Sequence, residues 1–254
     1  MSLQIIPKER QAKGAFNGGE IVENKPIGFP REGGFIRPYS NLFYWANAEA
    51  KVDSTIGLHP QEGFEIMSFV LKGSIRHYDT KLQEWRSLKA GDAQIIRAGG
   101  GISHAEFMAQ GAVMFQIWFD PDLSKTLGQP ASYNDYTADS LPVVQDDDVC
   151  VQTYIGGGAP ITLDTPGLEI LRFGFDKADY RRPISPEKIH SLYVIEGSCK
   201  INGEVVKADD FVIMEDSDEL HVESREAGDI FMVSSPSTLD YQTYAQMMQQ
   251  RMGA

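Results

Sequence analysis

His59-Pro60-Gln61-Glu62-Gly63-Phe64-Glu65, taken with Gly101-Ile102-Ser103-His104-Ala105-Glu106, is the part of the chain that decides the fold. Each segment places two polar side chains two residues apart, His59 with Gln61 and His104 with Glu106. In an extended strand such neighbours share one face. If the two strands face each other across a barrel, four groups converge on one interior point and form a metal pocket. The flanks agree with strands. Gly63 to Leu71 is rich in β-branched and aromatic residues and ends at Lys72-Gly73, while Leu88 to Arg97 carries a Gly91-Asp92 turn and leads into Gly99-Gly100-Gly101.

These motifs resemble those of the cupins, small antiparallel barrels, and more closely those of the pirin family of two-cupin proteins. Pirins carry His-Pro-His-x-Gly-Phe-Glu followed by Gly-Ile-x-His-x-Glu. The resemblance is specific from Leu58 to Phe119 and weaker elsewhere, and one position departs: the family's second histidine is Gln61 here. It implies an all-β chain of two tandem cupin (double-stranded β-helix, jelly-roll) barrels with a short C-terminal helix. The metal-bearing barrel is expected over residues 1–138, and a degenerate, metal-free barrel with the helix over 139–254.

An internal repeat supports two barrels of one design. Ser68-Phe69-Val70-Leu71-Lys72-Gly73-Ser74-Ile75 is echoed by Leu192-Tyr193-Val194-Ile195-Glu196-Gly197-Ser198-Cys199, and Lys89 to Ile96 by Lys207 to Met214. Ile201-Asn202-Gly203-Glu204-Val205 supplies a tight turn in a shortened hairpin of the second copy. In that copy the ligand positions are Pro183, Ser185, Ile189, Val222 and Ser224, none of them a strong ligand. His190 and His221 lie nearby, but a one-residue offset turns a side chain to the opposite face unless a bulge intervenes. The polar run through Gln129 to Tyr136 reads as the connecting arm, Gln145 to Asp148 as a solvated turn, and Phe35-Ile36-Arg37-Pro38 and Leu42 to Ala46 as further strands of the first lobe. Ser237-Thr238 cap a helix whose Tyr241, Tyr244, Met247, Met248 and Met252 recur at largely helical spacing and pack onto a barrel.

At 254 residues with 42% hydrophobic content, the chain can bury two modest cores. Its 23 Lys and Arg stand against 36 Asp and Glu, a net charge of -13 that disfavours direct contact with nucleic acid or an anionic membrane. No apolar run approaches the ~20 residues of a membrane span, and a cytoplasmic protein is expected. Cys150 and Cys199 read as small buried hydrophobes in a reducing compartment.

Non-haem Fe(II) chemistry needs few protein ligands and open positions, and two imidazoles with one carboxylate on one face provide them. His59, His104 and Glu106 form that set, with Gln61 as an auxiliary carbonyl ligand or hydrogen-bonding group. Fe(II) is the favoured cofactor, and another divalent transition metal suits the same donors. Glu65 is expected near this pocket as a hydrogen-bonding residue, and His77 is expected to be held by Asp79. Phe64, Met67, Phe69, Met114, Phe115, Ile117 and Trp118 are candidate apolar lining, of which alternation turns about half inward. The resemblance further implies dioxygenase activity of the quercetin 2,3-dioxygenase type on a flavonol-like or other small aromatic substrate, with Glu106 as proton acceptor. Other pirins point instead to a metal-binding or metal-free module that contacts a protein partner, as a transcription cofactor or redox sensor does.

Overall fold

The computed structural model describes residues 2–29 and 31–253, the side chains of Met252 and Gly253 excepted, so the expected packing of Met252 lies outside the described side chains. The chain divides into two compact units. One comprises residues 11–140, 163–166 and 240–254, and the other residues 1–10, 141–162 and 167–239.

In the first unit a seven-stranded sheet runs in the order Ser132–Tyr136, Ala93–Arg97, Glu65–Lys72, Val113–Phe119, Leu42–Ala50, Ile21–Ile27 and Ala12–Phe16. Its companion has four strands, Ser54–Gln61, Ile102–Met108, Ser74–Asp79 and Trp85–Lys89. The second unit repeats this plan. Its large sheet is Ser2–Ile6, Phe211–Glu215, Lys188–Glu196, Gly228–Pro236, Glu169–Phe175, Val149–Ile155 and Val143–Asp146, and its small one Ala178–Pro183, Glu219–Ser224, Ser198–Ile201 and Glu204–Lys207. This is the tandem cupin architecture. The repeated Lys-Gly-Ser and Glu-Gly-Ser turns explain themselves: Gly73 and Gly197 have φ of 71° and 82°, and a Cβ on Gly197 would lie 2.3 Å from the Ala227 carbonyl oxygen.

The grouping departs from the sequence expectation at both chain ends. Ser2–Ile6 pairs antiparallel with Phe211–Glu215, covering an edge that would otherwise expose unpaired backbone groups. The connecting arm does the same for the first unit, where Ser132–Tyr136 pairs with Ala93–Arg97. The helix Tyr244–Gly253 belongs to the first unit and not to the second, because Asp120 Oδ2 accepts the Ala245 N–H at 3.1 Å and the Tyr241 hydroxyl donates to the Asp120 carbonyl at 2.7 Å. Ala245 is buried in a cluster with Phe43, Tyr44 and Trp118, so the expected packing of the helix on a barrel is what is seen.

Three smaller expectations change. Phe35 to Pro38 is loop, joined to the sheet by a single bridge from Ile36 to Ile27. Gln145 and Asp146 belong to a strand, and the reversal to Val149–Ile155 falls at Asp147, whose φ is 52°. Cys150 is exposed while Cys199 is buried, because a strand side chain at an outward position meets solvent whatever its polarity. Among the described residues no helix is long and apolar enough to cross a membrane.

Candidate metal centre

His104 stands directly opposite His59 on one neighbouring strand and opposite Asp79 on the other, while Glu106 stands opposite Ile56 and His77. Between those pairs the strand Ser54–Gln61 spends three residues where Ile102–Met108 spends two, a bulge around Gly57 and Leu58. Ile56 packs inward with Ile75 and Met108. Without the extra residue, simple alternation would turn His59 outward. With it, the His59 and His104 rings lie 4.3 Å apart between centroids on the same face. The bulge aims the first motif.

His104 is fully buried, and neither of its ring nitrogens has a partner. Burial pulls its pKa down to about 4, outweighing the neighbouring Glu106, so the imidazole is neutral near pH 7. His59 Nδ1 lies 2.9 Å from the Gly57 carbonyl; as the donor in that bond it leaves the Nε2 lone pair available. On the other side, His77 Nε2 contacts Asp79 Oδ2 at 2.8 Å, as expected, and its buried Nδ1 has no partner. Asp79 is anchored in turn by the Leu82 and Lys81 N–H groups, and its pKa is lowered as these bonds outweigh burial. The Tyr133 ring stacks on His77 at 4.2 Å, and its hydroxyl donates to Gln94 Oε1.

Glu106 is held from the facing sheet. Its Oε2 accepts from Gln116 Nε2 at 2.7 Å, and its Oε1 accepts at longer range from Ser68 Oγ, 3.3 Å, and Gln94 Nε2, 3.4 Å. Trp118 Nε1 donates to Gln116 Oε1 and so orients that amide. Gln61 is buried and stands opposite Ile102 at the end of its strand. Ser68, Gln94 and Gln116 are the polar partners that motif reading missed. Their signal was a hydrophilic residue between two apolar neighbours in each of three strands, Ser68 between Met67 and Phe69, Gln94 between Ala93 and Ile95, and Gln116 between Phe115 and Ile117.

Glu65 is displaced from its expected place. Ser68 faces Glu106, so alternation sends Glu65 to the other side of its strand, where its carboxylate accepts from Asp164 N, Thr165 N and Thr165 Oγ1 at 2.8, 2.7 and 2.6 Å. Burial raises its pKa despite those donors. It ties down residues 164 and 165. Of the expected lining, Phe64 and Trp118 join an aromatic cluster with Phe43, whereas Met114 packs elsewhere with Val70.

Two imidazoles and a carboxylate suit a divalent transition ion, and the two orphaned nitrogens of buried His104 call for a partner. The set is not closed: among the described residues no three His, Cys, Asp or Glu side chains stand as a group able to hold an ion. Glu106 would have to give up a hydrogen bond to join the pair. The fit is therefore one of donor type, with the carboxylate held back by amides.

The Pirin family model matches residues 35–119, the stretch that contains both motifs. A pirin-like protein of Caulobacter vibrioides is 28% identical over 236 residues, 88% of this chain and 84% of that protein. Over residues 35–119 the chain carries a Pirin domain. A quercetin 2,3-dioxygenase of Escherichia coli is 24% identical over 184 residues, 71% of this chain and 76% of the relative. Other matches are shorter: relatives from Zymomonas mobilis and Pseudomonas aeruginosa are 34% and 36% identical over 34% and 37% of their own lengths. The crystal structure of a bacterial pirin from Escherichia coli in complex with nickel(II) superposes with a TM-score of 0.79 at 18% identity, covering 93% of this chain and 100% of that one. The pirin domain of this chain is thus its first barrel. In the second barrel Val222 stands opposite Ile201, as Glu106 stands opposite His77 in the first, and packs in an apolar core with Tyr180, Leu192 and Ile201.

Proposed function

We propose that the first barrel is a divalent-metal centre of the cupin dioxygenase type that acts on a small aromatic substrate of the flavonol class. The observation that carries this reading is the buried, neutral His104, whose two nitrogens lack partners beside a second imidazole with a free lone pair. His59, His104 and Glu106 would hold the ion, with Gln61 as a weak fourth group, and Fe(II) is the metal that dioxygen chemistry favours. A divalent ion held there supplies a Lewis acid that polarises a substrate oxygen. Glu106 Oε1, the oxygen with only the two long hydrogen bonds, accepts the proton of a substrate hydroxyl. Gln116 meanwhile fixes Oε2. The quercetin dioxygenase and nickel-bound pirin among the relatives support the metal and the aromatic substrate.

Elemental analysis of protein purified without chelator tests the centre. About one transition-metal ion per chain is expected, lost in His104→Ala. Oxygen uptake with quercetin is expected to fall in Glu106→Gln while metal is retained in part. Protein that takes up no transition metal would end the reading.

A second reading is favoured by the amide-held Glu106 and by Gln61 in place of histidine. On it the barrel is a pirin fold kept as a protein-binding module without turnover, meeting its partner through protein contacts. A metal-replete preparation that consumes no oxygen with any tested flavonol supports this alternative.

A further inference from the structure

Outside the imidazole pair, the first unit contains a cavity of about 680 Å³ lined by Phe29, Phe43, Phe64, Tyr244, Arg31 and Arg37, with Pro38, Ala245, Met248 and Gln249 completing it. Its size is that of a site for a two- or three-ring molecule. Its floor is aromatic and rigid. Phe43 and Phe64 lie 4.4 Å apart, and Tyr244 sets its edge against both, at 5.9 and 5.5 Å. Beneath them Trp118 packs on Phe64 at 5.5 Å, fixed by its bond to Gln116.

The charge at this cavity runs against the rest of the molecule. The protein carries a net charge of -13, yet among the described residues the lining includes two guanidinium groups and no carboxylate. The nearest acid in sequence, Glu32, is engaged with Lys25 Nζ at 2.6 Å and with the Phe29 N–H at 2.8 Å. The other large cavities differ: that beside Glu65 and Arg97 includes Asp122, Asp164 and Asp240, and that of the second unit includes Asp148, Asp179, Glu223 and Glu226. An aromatic floor beneath exposed arginines matches a planar ring system with an anionic substituent, which stacks on the rings and receives paired N–H donors.

We propose that this cavity, whose lining includes none of His59, Gln61, His104 and Glu106, is a binding site for a planar aromatic anion, such as an aromatic carboxylate or phenolate. It is formed jointly by Phe29, Arg31, Arg37 and Pro38 and the C-terminal helix, and binding there depends on neither metal nor dioxygen. Arg31 and Arg37 select for charge; Phe43, Phe64 and Tyr244 select for flatness.

The test uses the full chain and two probes of one shape, 2-naphthoate and the neutral 2-naphthamide, titrated calorimetrically. Naphthoate is expected to bind one per chain and about tenfold more tightly than naphthamide, the difference a charge-assisted contact supplies. The double variant Arg31→Gln, Arg37→Gln is expected to bring naphthoate down to the naphthamide level and to leave naphthamide unchanged, which a misfolded protein would not do. Met248→Trp, which fills the cavity from the helix, is expected to abolish binding of both. Equal binding of the two probes to the native protein overturns the proposal, as does naphthoate binding that survives both variants or is lost in His104→Ala. So does saturable binding of an acidic peptide at this cavity with no naphthoate binding at millimolar concentration.

Discussion

Gln61 and Glu106 mark the two points at which the first barrel holds back from a finished metal centre. An amide carbonyl is a neutral, hard donor, and imidazole nitrogen is better matched to borderline transition ions. Glu106 meanwhile accepts three hydrogen bonds from Gln116, Ser68 and Gln94. Restoring histidine in Gln61→His is expected to tighten metal binding on the order of tenfold, read by competition with a coloured chelator. Unchanged affinity would mean that position 61 does not reach the ion. Gln116→Leu frees Oε2 of Glu106 and is expected to act in the same direction at some cost in stability, since a buried acceptor loses its shortest partner. Within a single strand the sequence was a reliable guide: His77 and Asp79, two apart, share a face and bond to each other. Across a turn it was not. Gly63, with φ of 80°, interrupts the extended chain between Gln61 and Glu65, which fall in strands of different sheets, so alternation does not carry from His59 through to Glu65.

At the level of elements, the bulge at Gly57 and Leu58 and the docking of the C-terminal helix are both contributions of long-range pairing. The bulge could not be read from the motif, because only the partner strand reveals that three residues oppose two. The helix was legible as a helix from its spacing, but it begins at Tyr244, where Thr243 Oγ1 accepts the Gln246 N–H, and not at the expected caps Ser237-Thr238, and its partner Asp120 lies over a hundred residues away in sequence. Asp120 is buried, its Oδ1 has no partner, and its pKa is pushed up from 3.8 to about 6, burial outweighing the N–H groups of Tyr244 and Ala245. A carboxyl whose folded pKa exceeds its unfolded value favours the fold most when protonated. Its contribution is fully present below pH 3.8 and is lost as pH rises through about 6. The loss amounts to roughly 2–3 kcal/mol. Asp120→Asn keeps an acceptor for Ala245 and removes the charge. It is expected to match the native protein at pH 4 and to exceed it at pH 8 by up to about 3 kcal/mol in urea unfolding. A variant that keeps the native pH slope would show that another group is responsible.

For the whole molecule, the repeat legible in Val70 to Ser74 and Val194 to Ser198 extends to every strand of both sheets in each unit, and the exchange of ends follows from it. Each large sheet needs a strand beside the one that follows the Gly-Asp or Asp-Asp turn. The connecting arm supplies it in the first unit and Ser2–Ile6 in the second. Local hydrophobic pattern cannot say which chain segment fills an edge, since any short strand of suitable polarity would do, and so the linear division at residue 138 misplaced both termini. Ile6 is buried at this edge, with Leu3 and Ile5 packed beside the second core, whereas the ion pair of Lys8 with Asp209 is exposed and adds little. Deleting residues 1–10 therefore removes roughly 3–5 kcal/mol of apolar burial and strand pairing from the second unit alone. Amide hydrogen exchange is expected to accelerate over Phe211–Glu215 and its neighbour Lys188–Glu196, with self-association through the uncovered edge. Exchange in Ile102–Met108 and metal uptake by the first barrel should stay at native values. If instead both units lose protection together, the amino-terminal strand is holding the entire chain and not one sheet.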